Sequence, residues 1–300
     1  MKVGLVHPMA FPACARGEGP VVETVRQIAE DPFFEAIDLT WIADPKARAE
    51  VGAMVRTAPL EATFAAQSYL LPLKGDLNAL DETERKRAVQ LVMACIPQAI
   101  DIGAVRVCVL SGKDVAEADR EKAYGLLVKS LVEIGKELKD KAGLPLCLKI
   151  FDQKIEKKCL IGPAALSARL ALEVRRDLPD FGLIHDLSHI PILFESFEQA
   201  LKPIAPYLVQ AHMGNSVRKE GHPLFGDQHP PFGIEGGDSG SKELAAYLQT
   251  LFKIGFLKKG IRRFVGFEVK PPTGVSSSLL IANAKRTLGE AWASVVPQAS

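Results

Sequence analysis

The chain has 300 residues, of which 47% are hydrophobic and 24% charged, and its formal net charge is +1. A charge so close to zero argues against a duplex-binding protein, which usually carries a strong basic excess. No stretch approaches the roughly 20 apolar residues of a membrane span, and the N-terminal apolar stretch is too short for a signal peptide. The five cysteines are scattered and form no Cys-x-x-Cys pair, which predicts reduced thiols in a cytoplasmic protein.

Short apolar segments, each ending in a polar residue, recur along the whole chain and alternate with helical patterns. Such near-continuous apolar segments are typical of parallel strands that are buried on both faces. The eight predicted strands are residues 2–7, 34–41, 63–68, 105–111, 144–152, 181–186, 208–212 and 263–271.

Five of the intervening helices have clear sequence signals, and they are predicted at 82–102, 114–141, 163–174, 240–254 and 276–296. Asp81 is the predicted N-cap of the first, Gly143 ends the second, and Pro163 begins the third. Alternating strands and helices of this number predict an α/β fold, a (β/α)₈ TIM barrel that forms a single domain over residues 1–300. An open doubly wound sheet is the alternative, but no glycine-rich nucleotide-binding motif follows the first strand.

In such a barrel, functional side chains lie at the C-terminal ends of the strands. Asp186, His212 and Glu268 end the last three strands, and two carboxylates with one imidazole suit Mn²⁺, Mg²⁺, Co²⁺ or Zn²⁺. Three protein ligands leave coordination positions for water and substrate. The alternative is a buried Asp–His pair beside an unrelated surface glutamate. Four further residues at or near strand ends are predicted to contact the substrate: His7, Trp41, Gln67 and Asp152.

A long loop rich in glycine and proline, predicted at 213–239, follows the seventh strand and is expected to lie over the active-site face. It contributes Asn215, Asp227 and His229, and the last two share one face if the segment is extended. These residues either contact substrate hydroxyls or, in the case of Asp227 and His229, bind a second metal ion together with His189. A solvent-exposed turn is the alternative for residues 226–231.

These motifs resemble those of the xylose isomerase-like TIM-barrel superfamily, which contains sugar isomerases and epimerases as well as the family 2 apurinic (AP) endonucleases. Segments 150–163 and 226–233 are also similar to a subgroup described as sugar phosphate isomerase/epimerase-like. The resemblance spans the whole chain and implies a divalent metal ion and a small carbohydrate substrate. It is carried by Asp186, His189, His212, Asp227, His229 and Glu268.

The chain departs from this family at the end of the fifth strand. The family usually has a glutamate there, which binds the metal and serves epimerases as one of two bases, whereas the matching residue here is Lys149. Asp152 is no simple substitute, because a residue three positions away in a strand points to the opposite face. Lys149 either transfers protons and stabilises an enediolate beside the metal, or lies between Asp186 and Glu268 in place of the metal.

The main functional hypothesis is a metal-dependent isomerase or epimerase that forms an enediolate on a small keto sugar or sugar acid. Its predicted catalytic residues are Lys149, Glu268 and His189. A lyase that decarboxylates a 3-oxo sugar acid with Lys149 and the metal is the alternative. An endonuclease-type phosphodiesterase and an inactive binding barrel are the other two. The expected partner is a carbohydrate, with no nucleic acid and no membrane; homo-oligomer formation is left open.

Overall fold

Eight parallel strands close into a barrel in the computed structural model, which describes residues 1–295. β1 pairs with both β2 and β8, and this pairing closes the sheet. The predicted single-domain (β/α)₈ TIM barrel is therefore confirmed. The strands are β1 (Lys2–Val6), β2 (Ala36–Leu39), β3 (Glu61–Ala65), β4 (Ala104–Val109), β5 (Leu146–Lys149), β6 (Gly182–Asp186), β7 (Leu208–Gly214) and β8 (Phe264–Glu268).

Helices surround the barrel, and several short ones follow the strands directly. The short helix after β3 begins at Ala66, inside the range that the sequence predicted as strand. The helices are α1 (His7–Ala10), α2 (Val21–Ala29), α3 (Pro45–Thr57), α4 (Ala66–Leu70), α5 (Glu82–Met93), α6 (Ile96–Asp101), α7 (Arg120–Ala142), α8 (Ala164–Val174), α9 (His189–Ile192), α10 (Phe197–Leu201), α11 (Ser241–Lys253) and α12 (Ser277–Ser294).

The predicted helix at 82–102 is two helices, because Pro97 has no N–H to donate to the carbonyl of Met93. The side chain of Asp81 caps α5 as predicted, accepting from the N–H of Glu84 at 2.9 Å. α7 begins six residues later than predicted, and it ends before Gly143, whose φ of 66° is the left-handed conformation that glycine adopts most readily. Pro163 is the N-cap of α8 and not its first helical residue.

Apolar side chains of the helices pack on the outside of the barrel. On α7, Leu127, Leu131, Ile134 and Leu138 are fully buried at helical spacing. The last predicted helix, 276–296, is observed as α12, and residue 296 lies outside the described residues. All five cysteines are free and buried. Within residues 1–295, no helix has the length and apolar character needed to cross a membrane.

The inside of the barrel is polar beneath its C-terminal end. Thr63 donates to Oε1 of Gln210 at 2.8 Å, and the amide nitrogen of Gln210 donates to both carboxylate oxygens of Asp38 at 3.0 Å. Arg106 donates to Oγ1 of Thr63 at 3.2 Å and forms an ion pair with Glu61 at 2.8 Å. These groups hydrogen-bond to one another, and this polar layer lies beneath the side chains at the mouth.

The loop after β7 begins two residues later than predicted, because β7 continues to Gly214, which pairs with Glu268 of β8. The loop therefore runs from 215 to 240. It carries Asp227 and His229 to the C-terminal end of the barrel, where both side chains are buried.

Candidate active site

Asp186, His212 and Glu268 converge at the C-terminal mouth of the barrel. Asp186 and His212 are register partners on adjacent strands, and Glu268 ends the next strand. One potential ligand atom from each residue lies within 4.8 Å of those from the other two, and all three side chains are buried. The convergence expected from the strand ends is therefore present, while the binding of a metal by these residues stays a prediction.

Lys149 enters the same group from the end of β5. Its ammonium donates a hydrogen bond to Oε2 of Glu268 and lies 3.8 Å from Oδ2 of Asp186. It also lies 4.9 Å from the ring centroid of Phe151. Burial lowers the pKa of Lys149, but the charges of Glu268, Asp186 and Asp227 more than offset that effect and raise the pKa above its ordinary value. Lys149 is thus a buried cation held between carboxylates.

His212 bridges two carboxylates. Its Nδ1 is 2.7 Å from Oε2 of Glu268, and its Nε2 is 2.8 Å from Oδ2 of Asp38. Burial lowers the pKa of His212, yet Asp38 and Glu268 together raise it to about 9, so the ring is an imidazolium at neutral pH in this arrangement. Asp38 therefore fixes the ring that contacts Glu268.

A second group forms where the loop after β7 meets α9. Nε2 of His229 is 3.0 Å from Oδ1 of Asp227, and Nε2 of His189 is 3.8 Å from the same oxygen. Lys157 adds an ammonium 3.3 Å from Oδ2 of Asp227. Asp227 and His229 do contact each other as their spacing suggested, although His229 has a φ of 51° and the segment is not extended. Glu268 connects the two groups, because its Oε1 is 3.6 Å from Nε2 of His229.

Burial and neighbouring charges together set the protonation states of Asp227, His189 and Asp186. Burial opposes ionisation of Asp227, but His229, His189 and Lys157 hold the pKa of this carboxyl well below its usual range. Burial lowers the pKa of His189 to about 4, so this imidazole is neutral at pH 7. Burial also raises the pKa of Asp186 to about 6, and the charge of Glu268 adds to this effect. A neutral imidazole is the form that binds metal ions.

The described residues contain three groups whose donor atoms are close enough to share a metal ion: Asp186–His212–Glu268, Asp186–His189–His229 and Asp152–His189–Asp227. These groups differ in whether their potential metal-ligand atoms already have hydrogen-bond partners. Both ring nitrogens of His189, Nδ1 of His229 and Oδ2 of Asp186 are buried without a hydrogen-bond partner in the described part of the chain. Buried polar atoms are normally satisfied by a partner. Because these unpartnered nitrogen and oxygen atoms can bind a metal, the Asp186–His189–His229 group fits a divalent cation.

Three of the residues predicted to contact substrate lie on the side of β1 to β3. His7 turns its Nε2 to Oγ1 of Thr24 at 2.8 Å, outside both groups of ionisable side chains. Trp41 stacks on Tyr69 with ring centroids 4.5 Å apart, and both line a cavity of about 310 Å³. Gln67 is buried, and its Oε1 has no hydrogen-bond partner within residues 1–295. Substrate contact by these three residues stays a prediction.

Asp152 and Asn215 have structural hydrogen bonds that the sequence did not indicate. The carboxylate of Asp152 accepts from the backbone N–H groups of Ile155, Glu156 and Lys157, each at 2.8 Å. Asn215 donates to the carbonyl of residue 231 and accepts from the N–H of residue 239, both at 2.8 Å. Each side chain therefore holds a loop closed, and their contact with substrate stays a prediction.

Two important residues were missed by the sequence reasoning. Asp38 lies in the middle of β2, and its signal was a single carboxylate within an otherwise apolar strand. Gly214 ends β7, and a Cβ placed there would lie 2.8 Å from Nδ1 of His229 and 2.9 Å from Oδ1 of Asp186. The close approach of these two groups thus requires a residue without a side chain.

The family described as xylose isomerase-like TIM barrel matches residues 27–280. A comparison with curated proteins gave no match.

Three solved structures are similar over nearly the whole chain. The D-psicose 3-epimerase of Clostridium cellulolyticum H10, solved with D-tagatose, has 15% identity and a TM-score of 0.69, and the match covers 99% of this chain and 100% of that one. The IolI protein with a bound zinc atom has 15% identity and a TM-score of 0.73, with the same coverage of both chains. The 3-keto-D-glucoside 4-epimerase YcjR of E. coli has 16% identity and a TM-score of 0.68, covering 96% of this chain and 98% of that one.

At these identities the structural matches establish the fold, and the family match over residues 27–280 establishes the family. The closed parallel barrel, with Asp186, His212 and Glu268 brought together at its C-terminal mouth, agrees with that assignment. The chain belongs to the xylose isomerase-like TIM-barrel family.

Proposed function

We propose that this protein is a sugar isomerase or epimerase that acts on a small carbohydrate with a carbonyl group next to a hydroxyl-bearing carbon. The observation that carries the proposal is the carboxylate of Glu268, which lies at the barrel mouth between Lys149 and His212. The similarity in fold to a D-psicose 3-epimerase and a 3-keto-D-glucoside 4-epimerase supports the same class of reaction.

Glu268 is the proposed base. Burial opposes its ionisation, but Lys149, His229 and His212 hold the pKa of this carboxyl well below its usual range, so it is a carboxylate at neutral pH. Oε2 makes the close contacts with Lys149 and His212, whereas the nearest of the ionic contacts of Oε1 is His229 at 3.6 Å. Oε1 is therefore the oxygen left to accept a proton from the carbon beside the carbonyl.

Lys149 is the proposed stabiliser of the charge that this proton transfer creates. Removal of the carbon-bound proton moves the electron pair toward the carbonyl oxygen, and a fixed ammonium nearby stabilises that oxyanion. Return of the proton from Glu268 to the neighbouring carbon, with transfer of the hydroxyl proton to the former carbonyl oxygen, gives the isomer. Epimerisation requires in addition an acid that protonates the same carbon from its opposite face. Asp38 acts through His212 by fixing the ring that contacts Glu268.

We place a divalent cation at Asp186, His189 and His229, whose donor atoms are close together and largely without partners. Two imidazoles and one carboxylate favour Zn²⁺, Mn²⁺ or Co²⁺ over Mg²⁺. Such an ion would bind substrate oxygens and acidify the adjacent C–H bond. Asp227 and Lys157 would keep the neighbouring charges paired.

The site is shielded from solvent, because Lys149, Asp186, His189, His212 and Glu268 are all at most 5% exposed. Exclusion of water strengthens the electrostatic interactions inside. We expect substrate entry to require movement of the loop at 215–240, which carries the buried side chains of Asp227 and His229 to this mouth.

The proposal is tested by ¹H NMR of ketoses, keto sugar acids and keto glycosides incubated with the protein in D₂O. We expect loss of one C–H signal beside the carbonyl of a substrate, at a rate that Glu268→Gln lowers at least 10²-fold, the usual scale of general base catalysis. A panel without exchange or interconversion contradicts the proposal. Release of CO₂ from a 3-oxo acid without such exchange would point to the decarboxylase instead.

A further inference from the structure

We propose that the ammonium of Lys149 takes the place of a divalent cation in the Asp186–His212–Glu268 group, so that this group binds no metal ion. The inference concerns metal content and does not depend on the identity of the substrate, so it stands or falls separately from the proposed reaction.

The first argument is competition for one oxygen. Oε2 of Glu268 accepts from Lys149 and lies 2.7 Å from Nδ1 of His212. A metal ion held by this group would bind its ligands at about 2.0–2.2 Å. An ion shared by His212 and the nearest oxygen of Glu268 would therefore compete with the ammonium for Oε2. The other carboxylate of the group has its Oδ2, on Asp186, only 3.8 Å from the same ammonium.

The second argument is that Lys149 has no solvent-exposed alternative. The residue is 1% exposed, and its ammonium lies 4.9 Å from the ring centroid of Phe151. Displacement by a metal ion would leave a buried ammonium without its carboxylate partners and next to a dication. Buried charges are tolerated in proteins only when they are paired. The displaced state is therefore disfavoured both by the loss of the carboxylate partners and by repulsion from the dication.

The third argument is that the placement of His212 suits a metal ligand once its Nδ1 has lost its proton. Its Nε2 is backed by Asp38 at 2.8 Å, and an imidazole backed by a carboxylate is the usual arrangement of a metal-binding histidine. Asp186 and Glu268 are equally ordinary ligands. Lys149 is thus the side chain beside this group that cannot bind a metal ion. A single substitution of Lys149 should therefore decide whether the group binds metal.

A consequence is that the Asp186–His212–Glu268 group holds the ammonium of Lys149, while the Asp186–His189–His229 group holds the metal ion. The fixed cation at Glu268 belongs to the protein and survives chelation, whereas any exchangeable cation is held at Asp186, His189 and His229. Since Asp186 belongs to both groups, variants of Glu268 and His229, which belong to one group each, can tell the groups apart.

The experiment is elemental analysis of chelator-treated protein after dialysis against Mn²⁺, Co²⁺ or Zn²⁺. Metal bound by the wild-type chain should be unaffected by Glu268→Gln and lost in His229→Asn. Lys149→Glu should gain one further ion per chain, and Lys149→Glu combined with Glu268→Gln should lose that gain. Lys149→Met, which removes the ammonium without adding a ligand, is the matched control, and circular dichroism verifies folding of each variant.

The inference is overturned if wild-type metal is lost in Glu268→Gln and retained in His229→Asn. It is equally overturned if folded Lys149→Glu binds no more metal than Lys149→Met does. Should Lys149→Glu fail to fold, the comparison of Glu268→Gln with His229→Asn in the wild-type background still decides the matter. Loss of catalytic exchange without any change in metal content leaves this inference intact and bears only on the proposed reaction.

Discussion

The ammonium of Lys149 and the carboxylate of Glu268 form a buried ion pair across the barrel mouth, joining the ends of β5 and β8, which are 119 residues apart in the chain. The pair brings a cation and a base to one point. Because both partners are almost fully buried, neither can be removed without leaving the other unpaired in a medium of low polarity.

Replacement of Lys149 by methionine should therefore destabilise the protein by about 3–5 kcal/mol, the usual effect of removing one partner of a buried pair. Urea unfolding at pH 7 measures this change. Lys136→Met is the control, because Lys136 pairs with Asp177 at 2.8 Å on the surface, where such pairs contribute at most about 1 kcal/mol. Equal losses in the two variants would show that the buried pair has no special role.

Replacement of Asp38 by asparagine should lower the pKa of His212 from about 9, because the negative charge of Asp38 is the largest cause that raises it. ¹³C-labelled histidine and NMR titration measure this pKa directly. Exchange of the substrate C–H should slow about 10–100-fold, the usual effect of losing a supporting carboxylate. Asp177→Asn on the surface is the control. An unchanged titration of His212 in Asp38→Asn would contradict the bridging arrangement.

Replacement of Gly214 by alanine should disturb the contact between the two groups, because the added Cβ would lie 2.8 Å from Nδ1 of His229 and 2.9 Å from Oδ1 of Asp186. We expect a loss of stability of about 1–3 kcal/mol, typical of overpacking, together with weaker metal binding. Gly125→Ala is the control, since a Cβ there meets no atom within 4 Å, and in a helix it should stabilise by about 0.5–1 kcal/mol. Full metal binding and stability in Gly214→Ala would refute the steric argument.

Stability should depend on pH through His7, which lies outside both groups. Burial lowers the pKa of His7 from 6.5 to about 3. Below pH 6.5 the unfolded chain takes up a proton that the folded chain does not, so the contribution of His7 is complete above pH 6.5 and falls as the pH drops toward 3. At pH 5 the loss is about 2 kcal/mol, from 1.36 kcal/mol per pKa unit.

His7→Gln tests this prediction, because its side-chain amide can still donate to Thr24 and does not titrate. The difference in unfolding free energy between pH 7 and pH 5 should be smaller in the variant than in the wild type by roughly this amount. Parallel pH profiles for the two proteins would mean that His7 is not the titrating group.

Much of this molecule is determined by local sequence pattern. The apolar segments fixed the eight strands, and their polar final residues indicated that Asp186, His212 and Glu268 would meet at one end of a barrel. The two-residue period of a strand also identified Lys149, and not Asp152, as the β5 side chain directed at them. These features follow from steric rules between neighbouring residues, which is why they can be read in the chain.

Only the tertiary structure decided what each side chain contacts. Asp38 reaches His212 from a strand that lies 174 residues away in the chain, because the closed sheet brings β2 across the barrel interior. The side chains of Asp152 and Asn215 form hydrogen bonds with loop backbone N–H and carbonyl groups, whose positions depend on how each loop folds. Partners across a barrel are set by its closure and strand register, and no local pattern of residues encodes those distances.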